Sequence, residues 1–179
     1  MTRPPLLAVL ALALLPGCET GIGEDWRAVQ PRVPAPDFTL ASVTGEPVNL
    51  AALRGRIVVA DFWATWCTPC RFSLPSLELV AKRYADRGVA VLLIDEQEKA
   101  ETVRAWLEGR FTAATVLLDQ DGRVSAGYHV GSIPRLFVVD AQGNVAYTHT
   151  GYGGGLERSL GLILDGLLGE GPAPAPAAP

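Results

Sequence analysis

The sequence predicts an α/β domain in which a central mixed β-sheet carries helices on both faces and is preceded by a short N-terminal β-hairpin. Three observations carry this. In the run Arg56-Ile-Val-Val-Ala-Asp-Phe-Trp63 every residue after the opening arginine is apolar but for one acid, the pattern of a strand buried on both sides. Directly after it, Leu74, Leu77, Ala81 and Tyr84 recur at three- and four-residue spacing, so a helix from about residue 70 to 87 lays one face on that sheet. The strand-to-helix alternation then repeats before the chain turns to a hairpin pattern, and elements in that order build a sheet covered on both faces.

In chain order, residues 38–40 and 48–50 form the N-terminal hairpin and residues 56–63 the first buried strand. Gly88 stops the first helix, because glycine adopts the left-handed conformation that ends helices without steric cost. Residues 89–94 read as a second buried strand. Residues 100–108, with Val103, Trp106 and Leu107 on one side, read as a second amphipathic helix. A short strand over 115–118 leads to a turn at Asp121-Gly122. Strands over 135–140 and 145–150 flank Ala141-Gln142-Gly143 as a hairpin, and residues 156–168 close the domain as a helix.

The ends of the 179-residue chain read as appendages to a domain spanning residues 37–168. A positively charged start, an apolar run from Leu6 to Leu15 and the small residue Gly17 before Cys18 follow signal-peptide grammar, and the run is too short to span a bilayer. Its placement before Cys18 resembles the bacterial lipobox, which implies cleavage after residue 17 and a lipid on Cys18. Residues 18–36 are rich in glycine and proline without apolar periodicity and read as a flexible tether. Residues 169–179 alternate proline and alanine and read as a disordered tail. A formal net charge of -4 without a basic cluster excludes an electrostatic nucleic-acid footprint.

The chemistry concentrates in Trp66-Cys67-Thr68-Pro69-Cys70, placed where the first buried strand hands over to the first helix. A thiol reacts as its thiolate, and the unpaired amides and positive dipole end of a helix N-terminus stabilise that anion. Cys67 is therefore the expected attacking residue. Cys70, one helical turn on, is placed to attack a mixed disulfide and release its substrate. Pro69 is tolerated because a first-turn proline lacks only a hydrogen bond that would be missing anyway.

Asp61-Phe-Trp-Ala-Thr-Trp66-Cys67-Thr-Pro-Cys70, followed by Pro75, resembles the active-site segment of thioredoxins. With the lipobox-like start and the N-terminal hairpin, the resemblance narrows to the membrane-tethered TlpA/ResA-like branch and covers about residues 36–168. It implies a thioredoxin-like fold and an extracytoplasmic thiol–disulfide oxidoreductase on a bacterial membrane. Its partners would be exported protein disulfides or dithiols, as in cytochrome c maturation, and a membrane-embedded electron donor. It implies a monomer with no cofactor or metal beyond the redox-active cysteine pair. Gly131-Ser-Ile133-Pro134-Arg135 stands where this family has its cis-proline loop, so Ile133 and Pro134 are expected to face the cysteines and offer backbone groups to an extended substrate segment. Gly151 matches the glycine that completes the groove, and Trp66, Thr68 and Pro69 supply its rim.

Two positions depart from the branch. Ser73 stands where ResA-like reductases often carry glutamate, while Asp61 takes the buried-acid position of thioredoxins and Val91 replaces their lysine partner. Asp61 is thus expected to have a raised pKa and to accept the Cys70 proton through water. Arg135 replaces the usual threonine after the cis-proline; favouring the thiolate, selecting an acidic partner and plain solvation all remain open for it.

Competing chemistries fit less well. A zinc site lacks a second cysteine pair, and His129 and His149 are too widely spaced to supply it. Haem attachment requires histidine after Cys70, where Arg71 stands. A peroxidase of the redoxin type requires threonine three residues before its cysteine, where Ala64 stands. A disulfide-forming oxidant would share the same framework, and a copper- or haem-handling chaperone is the reading from a different class.

Overall fold

The computed structural model describes residues 22–170 apart from 24 and 109; the signal-like segment with Cys18 and the tail from 171 onward lie outside the described residues. In chain order the strands are β1 (Trp26–Pro34), β2 (Thr39–Ser42), β3 (Pro47–Asn49) and β4 (Ile57–Trp63), then β5 (Val89–Glu96), β6 (Thr115–Asp119), β7 (Arg135–Val139) and β8 (Asn144–Thr150). The helices are α1 (Thr68–Tyr84), α2 (Ala100–Leu107), α3 (Arg123–Gly127) and α4 (Leu156–Glu170). They build one mixed sheet in the order β1-β8-β7-β4-β5-β6-β2-β3.

β4 is buried along its whole length, parallel to β5 and antiparallel to β7. Because side chains alternate across a strand, Ile57, Val59 and Trp63 enter one core with Leu74, Leu77, Leu160 and Leu164, beneath α1, α2 and α4. Val58, Ala60 and Phe62 enter a second core on the opposite face, with Phe38, Tyr128 and Phe137 beneath α3 and the segment before β2. The expected two-faced α/β architecture is therefore present, and β2 and β3 form the expected hairpin. α1 runs into a 3-10 turn over Ala85–Arg87 and stops at Gly88, whose φ of 77° is in the left-handed region.

Three details differ from the sequence reading. Nine residues of the stretch read as a tether, Trp26–Pro34, form strand β1, which pairs with β8 at the sheet edge. The prolines that argued against structure there are accommodated because an edge strand needs only half its backbone groups paired. Pro31 falls between Ala28 and Val33, where the register is interrupted, and its bond to Gln30 is cis. The turn at Asp121-Gly122 leads directly into the five-residue helix α3, capped by Asp119, which accepts from the amides of Val124 and Ser125 at 3.2 and 2.8 Å. Finally, α4 continues through Glu170, past the expected end at 168.

Candidate active site

Cys67 is the N-cap of α1, with extended backbone, and Thr68 and Pro69 make its first turn. The two cysteines are bridged, with Cα atoms 5.3 Å apart. The Cys70 amide, one of the first-turn donors that no helical carbonyl reaches, donates to Cys67 Sγ at 3.2 Å. Cys67 retains 3% exposure and Cys70 none, so an incoming group reaches only the first sulfur. Ser73, at the position where ResA-like reductases often carry glutamate, is buried and donates its hydroxyl to the Cys70 carbonyl at 2.9 Å.

The proline loop arrives from the other side of the sheet. The Ile133–Pro134 bond is cis, and Ile133 packs against the core cluster that contains both cysteines. Gly151, at a φ of 81° that side chains other than glycine rarely adopt, donates its amide to the Pro134 carbonyl at 2.9 Å and so fixes the loop from β8. Arg135 is half-buried: its guanidinium lies over the Phe137 ring and donates to the Thr150 hydroxyl. It is held by its own sheet, and burial together with Arg27 lowers its pKa.

Asp61 sits inside the core, 1% exposed, in register with Leu93 on β5 and Leu136 on β7. One of its carboxyl oxygens has no hydrogen-bond partner, and Val91, also buried, supplies no cation. Burial pushes its pKa well above the ordinary aspartate range. The folded state therefore binds this proton more tightly than the unfolded chain, and it loses stability as pH rises from the ordinary aspartate range toward the raised value. Trp63 is fully buried beneath the site against Trp106, whereas Trp66 is 66% exposed beside Cys67. Thr68 and Pro69 are exposed on the same rim.

The sequence reading passed over several residues here. Phe72 and Tyr152, both exposed, stack with ring centroids 6.1 Å apart and add an aromatic pair to the surface of α1 two residues beyond Cys70. Glu98 accepts from the Thr65 amide at 2.5 Å and the Thr65 hydroxyl at 2.7 Å, holding the turn before Cys67. Glu98 and its buried neighbour Asp95 stand at the carboxyl end of β5, the edge where open α/β sheets place their sites. That position was the available signal. His149 is buried against Trp26, and burial lowers its pKa. Among the described residues no cluster of three His, Cys, Asp or Glu side chains could hold a metal ion, and no helix is long and apolar enough to cross a membrane.

Residues 31–148 match the model of the AhpC/TSA family. The chain belongs to this family. Among curated relatives, the thioredoxin-like protein YneN of Bacillus subtilis is 36% identical over 119 residues, covering 65% of this chain and 69% of the relative. The thiol-disulfide oxidoreductase ResA of Geobacillus kaustophilus is 30% identical over 149 residues, covering 83% and 86%. Among solved structures, a thiol:disulfide interchange protein of the thioredoxin family from Chlorobium tepidum superposes with a TM-score of 0.67 at 30% identity, over 79% of this chain and 99% of that one. The exposed lipoprotein thioredoxin Etrx1 of Streptococcus pneumoniae superposes with a TM-score of 0.66 at 29% identity, over 74% and 100%. This AhpC/TSA chain is accordingly a thiol–disulfide oxidoreductase of the thioredoxin fold, related to ResA, with Cys67 and Cys70 as its C-x-x-C pair.

Proposed function

We propose that the protein reduces disulfides of exported proteins at the extracytoplasmic face of a bacterial membrane, held there by a lipid on Cys18. The reading rests on one observation above all: the cysteine nearer the surface caps α1 and receives the amide of the other. In the reduced protein the Cys67 thiolate attacks one sulfur of the substrate. The substrate S–S bond breaks, a Cys67–substrate bond forms, and the other substrate sulfur leaves as a thiolate. Cys70 then gives its proton through water to Asp61 and attacks Cys67 Sγ. The second substrate thiolate leaves, the protein is oxidised by two electrons, and the substrate gains them. A membrane-embedded dithiol restores the pair.

The cis-proline loop supports strand-like docking of an extended substrate segment, with Trp66, Thr68, Pro69, Ile133, Pro134 and Gly151 around the bond under attack and Arg135 at the margin. Apocytochrome haem-site cysteines and copper-centre proteins are the substrate classes that the ResA-like resemblance implies. Location outside the cytoplasm is supported by the signal-like N-terminus and by likeness to a lipoprotein thioredoxin.

The test is equilibration of the full chain with glutathione buffers, reading the bridged fraction by alkylation and mass. A reductase is expected to stay mostly bridged at the glutathione poise, because its potential lies lower. A pair that becomes reduced there reassigns the protein as an oxidant. For Asp61, the expected result is that Asp61→Asn slows resolution of a preformed Cys67 mixed disulfide and removes the pH dependence of that step. An unchanged rate across pH, followed by stopped-flow fluorescence of the tryptophans, rejects Asp61 as the base.

A further inference from the structure

The turn that presents Cys67 is held from two sides. Glu98 takes the amide and hydroxyl of Thr65, and the Arg71 guanidinium donates twice to the Thr65 carbonyl, at 2.9 and 2.7 Å. The Cys67 amide in turn donates to the Ala64 carbonyl at 3.1 Å. Any change at Glu98 is therefore passed through Thr65 to Cys67, two residues on.

Asp95 lies beside this clamp and the mechanism above makes no use of it. It has no exposure, stands in register with Trp63 on β4 and Leu118 on β6, and neither of its carboxyl oxygens accepts from an N–H or O–H donor in normal hydrogen-bond geometry. A buried carboxylate without donors is among the costlier arrangements in a protein, and a group in that position keeps its proton. Burial first, and then the Glu98 carboxyl and the charge of Glu96, push its pKa up to about 8. The Glu98 backbone amide, outside hydrogen-bond geometry, offsets only part of this, and no lysine, arginine or histidine contributes. Arg71, the cation of the cluster, is turned to the Thr65 carbonyl.

We infer that Asp95 is a positioning residue for the active-site turn: as the neutral acid it sits compatibly beside the Glu98 carboxylate, and on losing its proton it repels Glu98 and loosens the grip on Thr65. The proton on Asp95 then decides whether the clamp is closed. Asp61 plays no part in this clamp; it lies two residues back along β4 from Trp63 and is separated from Asp95 by a strand register. The consequence for catalysis rests on the proposed role of Cys67, but the clamp itself can be read without turnover.

In the oxidised full chain the cysteines do not titrate, so the Thr65 amide proton shift reports the hydrogen bond to Glu98 directly. Followed by NMR from neutral to alkaline pH, that shift is expected to change with a midpoint of about 8 in the wild type, to lose the transition in Asp95→Asn, and to keep it in Asp61→Asn. In the reduced protein, alkylation of Cys67 is expected to lose the same inflection in Asp95→Asn. A Thr65 amide that does not titrate in this range, or titrates equally in Asp95→Asn, overturns the inference. Glu98→Gln gives a second arm should Asp95→Asn fail to fold: removing the neighbouring charge is expected to move the Asp95 carboxyl midpoint to lower pH, and an unmoved midpoint overturns the inference. None of these outcomes depends on whether the protein is a reductase or an oxidant.

Discussion

Cys67→Ser is expected to lower catalysed disulfide reduction by about a thousandfold or more, to the background of the free reductant. A serine hydroxyl does not ionise at working pH, so the capped helix start has no anion to stabilise and no covalent intermediate forms. Cys70→Ser is expected to lose turnover as fully but by a different route. Attack by Cys67 still occurs, and without a resolving thiol the mixed disulfide accumulates as a stoichiometric adduct visible by intact mass. The asymmetry follows from burial: Cys70 has no exposed surface and cannot meet a protein substrate first. Adduct formation by Cys67→Ser, with none by Cys70→Ser, would reverse the assignment.

The largest effect on stability is expected at Glu78, far from the sulfurs. This residue of α1 is 5% exposed and accepts from the amides of Thr112, Ala113 and Ala114 at 3.0 to 3.3 Å, with Lys82 at 3.2 Å. Burial alone would raise its pKa, but the three amides and Lys82 outweigh burial and lower it. Glu78→Ala leaves those amides without an acceptor beneath a helix, which costs about 3–5 kcal/mol in total. Chemical denaturation measures it, and a loss below about 1 kcal/mol would mean that the amides find other partners. Because the folded pKa is depressed, Glu78 contributes its stabilisation above the ordinary glutamate range and loses it as pH falls through the folded value. The gap between wild type and Glu78→Ala should therefore close in acid.

Much of the fold was legible because β4 and β5 are continuous apolar runs, α1 carries a strong helical period and the final hairpin brackets a turn sequence. Strand β1 was not, since an edge strand with two prolines has the composition of a linker and only its pairing with β8 reveals it. Helix α3 was missed because five residues are too few to show a helical period. At the site, the cysteines and the buried Asp61 were readable from one contiguous motif, and the cis-proline from a second short segment, Gly131 to Arg135, through its family resemblance. Glu98 and Glu78 were not: each acts on backbone amides more than thirty residues away in the chain, contacts that only tertiary folding creates.

The docking of the N-terminal segment bears on how far the protein can work from its membrane. Ile22 already packs against the core, and the Gly23 amide donates to Ser159 on α4 at 3.1 Å. Were Cys18 the acylated first residue, as proposed above, only residues 19–21 would stand between the lipid and the folded body, a reach of about 14 Å even at full extension. Such an enzyme would graze the headgroups instead of swinging on a leash. Its clients would then be proteins whose sulfur bonds descend to that layer, and lengthening this short link would be expected to widen the range of heights at which it can operate.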